Sequence, residues 1–305
     1  MTFILKILGS NSAAPAHNRH QTSQLLNVQN QLFLIDCGEG TQNQLRRFKV
    51  RISKIHHIFI SHLHGDHYLG LLGLILTMHL QGRVKDLHLY GPAALTEIIV
   101  IQLKHSRTIL NYNIVFNSID PDQNKVIFEN NDLTVETIPL THRIDCTGFL
   151  FKEKPKLRRI NKKRLPPDIP LKHILALKNG EDIFNNEGEI LYRNRELTLP
   201  PKRSRSYAYC SDTIYDEGIV EQIKHVDLLY HESTFLDDQR ERARETLHST
   251  ALQAGCIARK AKVNMLVLGH YSIRYKELEP LLQEAKEEFL NTILAIEGMD
   301  ISLDE

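Results

Sequence analysis

Residues 61–70, SHLHGDHYLG, hold four side chains that could bind a metal within six positions. They are His62, His64, Asp66 and His67, in the pattern H-x-H-x-D-H. Because the chain has 16 histidines, a polar loop that is rich in histidine by chance is the alternative interpretation. The order of the residues favours metal binding, since alternate residues of a loop can face one ion while the last two face a second. Imidazole nitrogens and carboxylate oxygens both bind zinc at about 2.0–2.2 Å.

Three more potential ligands follow apolar runs elsewhere in the chain. LTVETIPLTH ends in His142, YAYCSD ends in Asp212, and NMLVLGH ends in His270. A single histidine or aspartate in such a position is usually a turn residue or a satisfied polar group. Together with the first cluster, however, these residues give seven potential ligands at the ends of apolar segments. The sequence therefore predicts a cleft that binds two metal ions.

Strands and helices are mixed along the whole chain. KIHHIFISH, residues 54–62, is a β-branched run that ends at the histidine cluster, and LGLLGLILTMHLQG after it has the length of a helix. Similar units follow, including a charged helix expected from about Asp237 to Ala261. This mixture predicts an α/β domain in which two sheets are covered by outer helices.

The composition is that of an ordinary globular protein, with 42% hydrophobic and 25% charged residues in 305. No apolar run reaches about 18 residues, and MTFILKILGSNS lacks the features of a signal peptide, so we expect no membrane association.

The chain has four widely spaced cysteines and no C-x-x-C motif: Cys37, Cys146, Cys210 and Cys256. They predict reduced thiols in a cytoplasmic protein.

The net charge of +1 conceals a strongly basic segment. Residues 152–164, KEKPKLRRINKKR, contain eight Lys or Arg and one Glu, a local charge of +7, so the rest of the chain sums to −6. The region from 150 to 200 has little apolar periodicity and also contains LPPDIP and KNGEDIFNNEGE. It is expected to leave the core, and the simplest interpretation is a solvated, partly mobile loop.

The motifs of the chain resemble a known family. The segments that carry the resemblance are spread over residues 3–275: LGSNSAAPAHNRHQTSQLL, LFLIDCGEGTQNQL, IFISHLHGDHYLGLLGLI, IPLTH, YCSDT, YHESTF, LHSTALQAG and LGHYSIRY. Together they resemble the metallo-β-lactamase superfamily and, within it, the ribonuclease Z family of tRNA 3′-end endoribonucleases. The resemblance implies one α/β domain over residues 1–305, a four-layer αββα sandwich with an inserted flexible arm. It also implies two Zn²⁺ per chain and a homodimer.

The resemblance also assigns the ligands to two zinc sites. One zinc would be held by His62, His64 and His142. The other would be held by Asp66, His67 and His270, and Asp212 would bridge both. Asp66 would in addition accept a proton from the attacking water. The expected products are a tRNA that ends in a 3′-hydroxyl and a trailer that begins with a 5′-phosphate.

Three further residues are expected to contact the substrate or support the reaction. His248, in LHSTALQAG, matches the general acid of the family, a role that suits a group titrating near neutral pH. Glu232, in YHESTF, is the residue we expect to orient it. Arg274, in HYSIRY, is expected to hold a phosphate. The alternatives are a helix-start position without chemistry for His248 and a surface salt bridge for Arg274.

The basic segment lies where the family has its tRNA-binding arm, at about residues 150–197. An arm with this charge would contact phosphates without regard to base sequence. The residues expected to do so are Lys156, Arg158, Arg159, Lys162 and Lys163. The sequence departs from the family here, because residues 151–179 contain no glycine and only LPPDIP is typical of the arm's tip.

These observations predict a zinc-dependent endoribonuclease that removes 3′ trailers from precursor tRNA. One alternative is another phosphodiesterase of the same fold that acts on small phosphodiesters or esters, which the basic arm argues against. A second alternative is an RNA-binding module that has lost its metals, which the complete set of ligands argues against.

Overall fold

A computed structural model describes residues 2–304, and most of them belong to two seven-stranded sheets. The strands of the first sheet, numbered along the chain, are β1 Phe3–Gly9, β2 Ser23–Val28, β3 Gln31–Ile35, β4 Ile55–Phe59, β5 Leu87–Gly91, β6 Ile114–Ser118 and β18 Asp300–Ser302. Their spatial order is β18-β1-β2-β3-β4-β5-β6. The strands from β3 to β6 are parallel, so their carboxyl ends lie at one edge of the sheet.

The second sheet is built mainly from the carboxyl-terminal half of the chain. Its strands are β7 Val126–Glu129, β8 Leu133–Leu140, β9 Cys146–Glu153, β14 Ser206–Cys210, β15 Leu228–Glu232, β16 Met265–Gly269 and β17 Thr292–Leu294. Their spatial order is β17-β16-β15-β14-β9-β8-β7. The four strands from β14 to β17 are parallel, and their buried apolar runs are typical of a parallel sheet covered on both faces.

Aromatic side chains fill the space between the two sheets. Phe59 of β4 contacts Phe149 and Phe151 of β9, with ring centroids 5.4 and 5.5 Å apart. Tyr209 of β14 donates a hydrogen bond of 2.6 Å to Asp36, which directly follows β3. These side chains are fully buried, so the two inner faces are held together by apolar packing and by a few satisfied polar contacts.

Helices cover the outer faces of both sheets. Buried residues of the helices that pack on the first sheet share one apolar cluster with its strands: α1 Thr41–Arg47, α3 Gly70–Leu80 and α4 Ala94–His105. The second sheet is covered in the same way by α8 Ala251–Ala261 and α9 Glu279–Glu288. The predicted αββα sandwich is therefore confirmed. Among residues 2–304, no helix combines the length and apolar character needed to cross a membrane.

The charged helix expected from Asp237 to Ala261 is interrupted, and this part of the prediction is wrong. A 3₁₀ turn at Asp237–Gln239 leads into α7 Arg240–Thr246, and Leu247 then adopts a left-handed backbone with φ 56°. Thr250 begins α8 with a capping box, because its hydroxyl accepts from the Gln253 amide while the Gln253 side chain accepts from the Thr250 amide. The break leaves residues 247–250 outside both helices.

Residues 130–133 and 152–205 form a second compact unit. Its elements are β10 Arg159–Ile160, α5 Leu171–Asn179, β11 Ile183–Phe184, β12 Ile190–Tyr192, α6 Asn194–Leu197 and β13 Thr198–Leu199. Leu177, Ile183 and Leu197 form a small buried core. The buried Arg205 guanidinium also donates to both oxygens of Glu153, at 2.8 and 2.6 Å. A solvated loop therefore does not describe this segment, which has its own secondary structure and core.

Candidate metal centre

The potential ligands follow the carboxyl ends of four strands. His62 comes three residues after β4, and His142 comes two residues after β8. Asp212 comes two residues after β14, and His270 directly follows β16. The remaining ligands of the first cluster lie in the loop after His62 and in the short helix α2 Gly65–Tyr68. The backbone of His270 is left-handed, with φ 58°, a conformation that is uncommon for a non-glycine residue.

Four side chains form the first group of potential ligands. The Nδ1 atom of His64 lies 3.1 Å from the Nε2 atoms of both His62 and His142. The Oδ2 atom of Asp212 lies 3.5 Å from His62 Nε2 and 3.6 Å from His142 Nε2. These four atoms all lie within 4.8 Å of one another. The sequence-distant residues His142 and Asp212 thus meet the loop of His62 and His64.

The second group shares Asp212 with the first. The Nε2 atom of His270 lies 3.3 Å from His67 Nε2 and 3.3 Å from Asp66 Oδ2. The Oδ1 atom of Asp212 lies 3.3 Å from His67 Nε2 and 3.0 Å from His270 Nε2. The two oxygens of Asp212 therefore face different groups, as a bridging carboxylate requires.

The spacing of these atoms fits metal coordination. Ligand atoms about 2.0–2.1 Å from a tetrahedral ion lie roughly 3.3 Å from one another. The distances given above are 3.0–3.6 Å. Buried carboxylates also require compensating positive charge. Asp66, Asp212 and Glu232 are all buried around these histidines. The donor set of imidazole and carboxylate suits zinc, manganese or iron.

Burial and neighbouring charges shift the protonation of the site in opposite directions. Burial alone would lower the pKa of His67, but the surrounding carboxylates raise it well above its usual value. Burial lowers the pKa of His62 and His142, which favours the neutral imidazole that can bind a metal. Burial alone would raise the pKa of Asp212, but the neighbouring histidines, led by His270 and His67, hold it well below its usual range. Asp212 is therefore an anion that the surrounding residues stabilise.

Asp36 contacts the Nδ1 side of the His67 ring, and sequence analysis did not identify it. It is fully buried, and its Oδ2 atom lies 2.7 Å from His67 Nδ1 and accepts from the hydroxyls of Ser61 and Tyr209. Its Oδ1 atom accepts from the Ser61 amide at 2.7 Å. A carboxylate on Nδ1 fixes the ring so that Nε2 points at the metal position. The only signal in the sequence was one aspartate after a strand, in LFLIDCG, which is equally typical of a turn.

His248 lies beside both groups of ligands. Its ring centroid is 4.9 Å from that of His142 and 5.5 Å from that of His270. Its Nδ1 atom lies 2.8 Å from Glu232 Oε1. Burial lowers the pKa of His248, but the Glu232 carboxylate outweighs this and raises it to about 9. The residue therefore lies close enough to donate a proton to a group bound between the two sets of ligands.

Arg274 is exposed at the edge of the same site. Its guanidinium lies over the ring of Phe235, 5.9 Å from the centroid. Phe235 in turn contacts the ring of His248, with centroids 6.2 Å apart. This stacking orients Arg274 next to the expected acid.

The predicted phosphate-binding residues differ in how far they are already engaged. Lys156 donates to the buried carboxylate of Glu153 at 2.6 Å, and its side chain is only 10% exposed. Arg158 and Arg159 donate to a hydroxyl and a carbonyl of residues 198–200, at 2.8 and 3.0 Å. These three residues therefore contribute to the fold of the second unit. The two other predicted contacts are exposed: Lys162 and Lys163.

Similarity over the full length of the chain decides the family. The chain is 47% identical to ribonuclease Z of Bacteroides fragilis over 302 residues, which is 99% of both chains. It is 50% identical to ribonuclease Z of Cytophaga hutchinsonii over 298 residues, which is 98% of this chain and 95% of that one. The chain belongs to the ribonuclease Z family. The resemblance seen in its motifs is confirmed.

Solved structures agree with the fold of a ribonuclease Z, and a model of a differently named family matches the first half of the chain. Human tRNase Z, short form, has a TM-score of 0.72 and 27% identity, with 99% of this chain and 100% of that chain covered. The metallo-beta-lactamase fold protein YhfI from Bacillus subtilis has a TM-score of 0.70 and 19% identity, with 98% of each chain covered, which shows the fold alone. The model of the family described as Anti-Pycsar protein Apyc1 matches residues 3–157. That match ends before Asp212 and His270, whereas the ribonuclease Z relatives extend over almost the whole chain.

The support that Asp36 gives to His67 can be tested by metal affinity. We expect Asp36→Asn to weaken metal binding by about 10–100-fold, because the amide carries no charge and can present an N–H to the ring. Tyr209→Phe, which removes one donor and leaves the carboxylate, should have a smaller effect. Competition with a chelating indicator measures both affinities. Equal affinities for Asp36→Asn and the unaltered protein would contradict the role assigned to Asp36.

Proposed function

We propose that this protein is a metal-dependent endoribonuclease that removes 3′ trailers from precursor tRNA. Its membership of the ribonuclease Z family supports the reaction, and human tRNase Z is similar over its whole length. The single observation that carries the mechanism is the position of Asp212, whose two oxygens face two separate groups of histidines.

Two zinc ions per chain fit this arrangement. The first would be held by His62, His64 and His142, the second by Asp66, His67 and His270, with Asp212 shared. When bound, such a pair lowers the pKa of a water molecule and neutralises charge on a phosphodiester.

Asp66 would receive the proton of the attacking water. It is buried, and its Oδ2 atom accepts from the Ala13 amide at 2.7 Å as well as facing His270. Burial alone would raise the pKa of Asp66, but His67 and His270 lower it well below its usual range. The carboxylate therefore stays ionised and keeps a fixed orientation.

His248 would donate the proton that the leaving 3′-oxygen of the tRNA needs. Glu232 orients the ring through Nδ1, which leaves Nε2 free to face the substrate. Glu232 is itself held by the Thr213 amide at 2.8 Å and by the Thr234 hydroxyl at 2.5 Å. Because Thr234 also lies 2.9 Å from His270 Nδ1, the acid and one metal ligand are positioned by the same side chain. Arg274, stacked on Phe235, would hold a phosphate beside this pair.

The second unit would bind the body of the tRNA through its exposed cations. Lys162, Lys163 and Arg164 are consecutive and exposed, and they follow β10. Contacts from such residues to phosphates release counterions and do not depend on base sequence. This proposal retains the arm at about residues 150–197 as a tRNA-binding element of the domain, and compact packing of residues 152–205 supports it.

We also propose that the protein acts in the cytoplasm as a homodimer. Its four cysteines are free, and three of them are buried, as expected of a protein kept in a reducing compartment. The dimer follows from the resemblance to the family, and light scattering of the purified protein tests it directly.

Metal dependence is the first test of the proposed function. The purified protein should cleave a tRNA precursor that bears a trailer, and a chelator should abolish cleavage. His64→Ala and His270→Ala each remove a ligand of a different group, so both should lose activity while circular dichroism shows a folded chain. Elemental analysis should find two metal ions per chain. Fewer than one ion per chain, in protein prepared without chelator, would contradict the dinuclear proposal.

The proposed acid predicts a second result. We expect His248→Ala to slow single-turnover cleavage by roughly 10²–10⁴-fold, the usual contribution of a general acid, while metal content stays unchanged. Glu232→Gln should slow the same step less, because His248 remains but loses its charged partner. A rate for His248→Ala equal to that of the unaltered protein would remove this residue from the mechanism.

The exposed cations of the arm predict a change in salt dependence. A Lys162→Ser, Lys163→Ser, Arg164→Ser variant should bind precursor tRNA more weakly. The slope of log affinity against log salt should also fall by about 0.7–0.9 for each phosphate that the variant no longer neutralises. Hydrolysis of a small phosphodiester should be unchanged, since the metal centre is untouched.

The matched control replaces three exposed cations of the same types outside the arm, Lys85, Lys104 and Arg107, with serine. If both triple variants bind tRNA as the unaltered protein does, the run is only a solvated surface. If the arm variant loses activity on both substrates, its residues support the fold instead.

A further inference from the structure

An open groove of about 570 Å³ lies against the loops that carry the first group of ligands. It is lined by Leu63, Pro92, Ala93, Ala94, Ile144 and Asp145. The proposed reaction gives none of these residues a role. The side chain of Ile144 is 39% exposed, so the groove presents an apolar contact surface to solvent.

The groove continues the metal centre. Leu63 lies between the ligands His62 and His64, and Ile144 is two residues beyond the ligand His142. The opposite wall is the segment from Pro92 to the start of α4, which directly follows β5 at the same edge of the sheet as the ligands. Whatever occupies the groove therefore lies beside the loops that carry the proposed ligands.

The chemistry of the lining selects an uncharged, flat ligand surface. The walls are apolar, and the lining contains no lysine, arginine or histidine. The start of α4 carries a partial positive charge, but the Asp145 carboxylate offsets it and would repel a phosphate. A nucleobase presents such a surface, and contact with its apolar face does not depend on which base it is.

The proposed reaction already assigns residues to the tRNA side of the scissile phosphate. In the proposed reaction His248 protonates the 3′-oxygen of the tRNA, so the last tRNA nucleotide lies near His248, Phe235 and Arg274. The groove is lined by a different set of residues. We propose, on the basis of the proposed function, that it binds the base of the first trailer nucleotide. A wall of aliphatic side chains accepts any base.

The test compares two precursor tRNAs that differ only at the first trailer nucleotide, which is either a normal nucleotide or an abasic analogue with the same sugar and phosphate. The unaltered protein should cleave the abasic precursor about tenfold more slowly under single-turnover conditions, as expected when one base no longer packs on an apolar wall. Ile144→Ser should cleave both precursors at similar, reduced rates. Ile109→Ser is the matched control, since Ile109 is 87% exposed and precedes the amino-terminal end of β6, away from the ligands. It should retain the discrimination.

Each outcome has a distinct meaning. Equal cleavage of the two precursors by the unaltered protein would overturn the groove as a base site and leave the endoribonuclease intact. Full discrimination by Ile144→Ser, with unchanged metal content, would also overturn it. Failure of the unaltered protein to cleave either precursor would refute the proposed function, and the trailer site with it. An abasic analogue placed instead at the last tRNA nucleotide should slow Ile144→Ser and the unaltered protein equally. A smaller effect on Ile144→Ser would assign the groove to the tRNA side.

Discussion

The charge of one buried carboxylate governs the arrangement of the centre. Asp212 is 2% exposed, and each of its oxygens faces a different group of histidines. A buried anion of this kind is stable only when its charge is compensated on every side. Asp212 lies in the loop that follows β14, at the middle of the second sheet, and the other proposed ligands converge on it from strand ends in both sheets. The paired sites follow from that position.

A break between two helices supplies the other half of the site. The left-handed Leu247 ends α7, and its carbonyl lies 2.9 Å from Nδ1 of the proposed ligand His142. The next residue, His248, contacts Glu232. A continuous helix would have satisfied the Leu247 carbonyl internally and would have turned His248 to another direction. The interruption therefore couples a metal ligand and the proposed acid through adjacent residues of one short segment.

The features that could be predicted are those marked by a repeated or periodic pattern of residues in the sequence. Apolar runs that end in a histidine or aspartate revealed the strands and the positions of His142, Asp212 and His270, because a ligand at a strand end leaves both signals together. Their roles as ligands remain predictions. The break at Leu247 was missed because TLHST continues a helical pattern and nothing marks a left-handed leucine. Asp36 was missed because its importance lies in four donors brought from distant segments. The pairing of Lys156 with Glu153 was missed for another reason, since both residues look like members of a solvated charge run.

The order of the ligands along the chain has a consequence for stability. His62 belongs to the first sheet and His270 to the second, so a pair of ions held between them closes a loop that spans most of the polypeptide. Ions that bind the folded arrangement and not the unfolded chain stabilise it by their binding free energy. The metals would thus act as a cross-link between the two halves of the sandwich, as a disulfide does in secreted proteins, and would make them unfold as one cooperative unit.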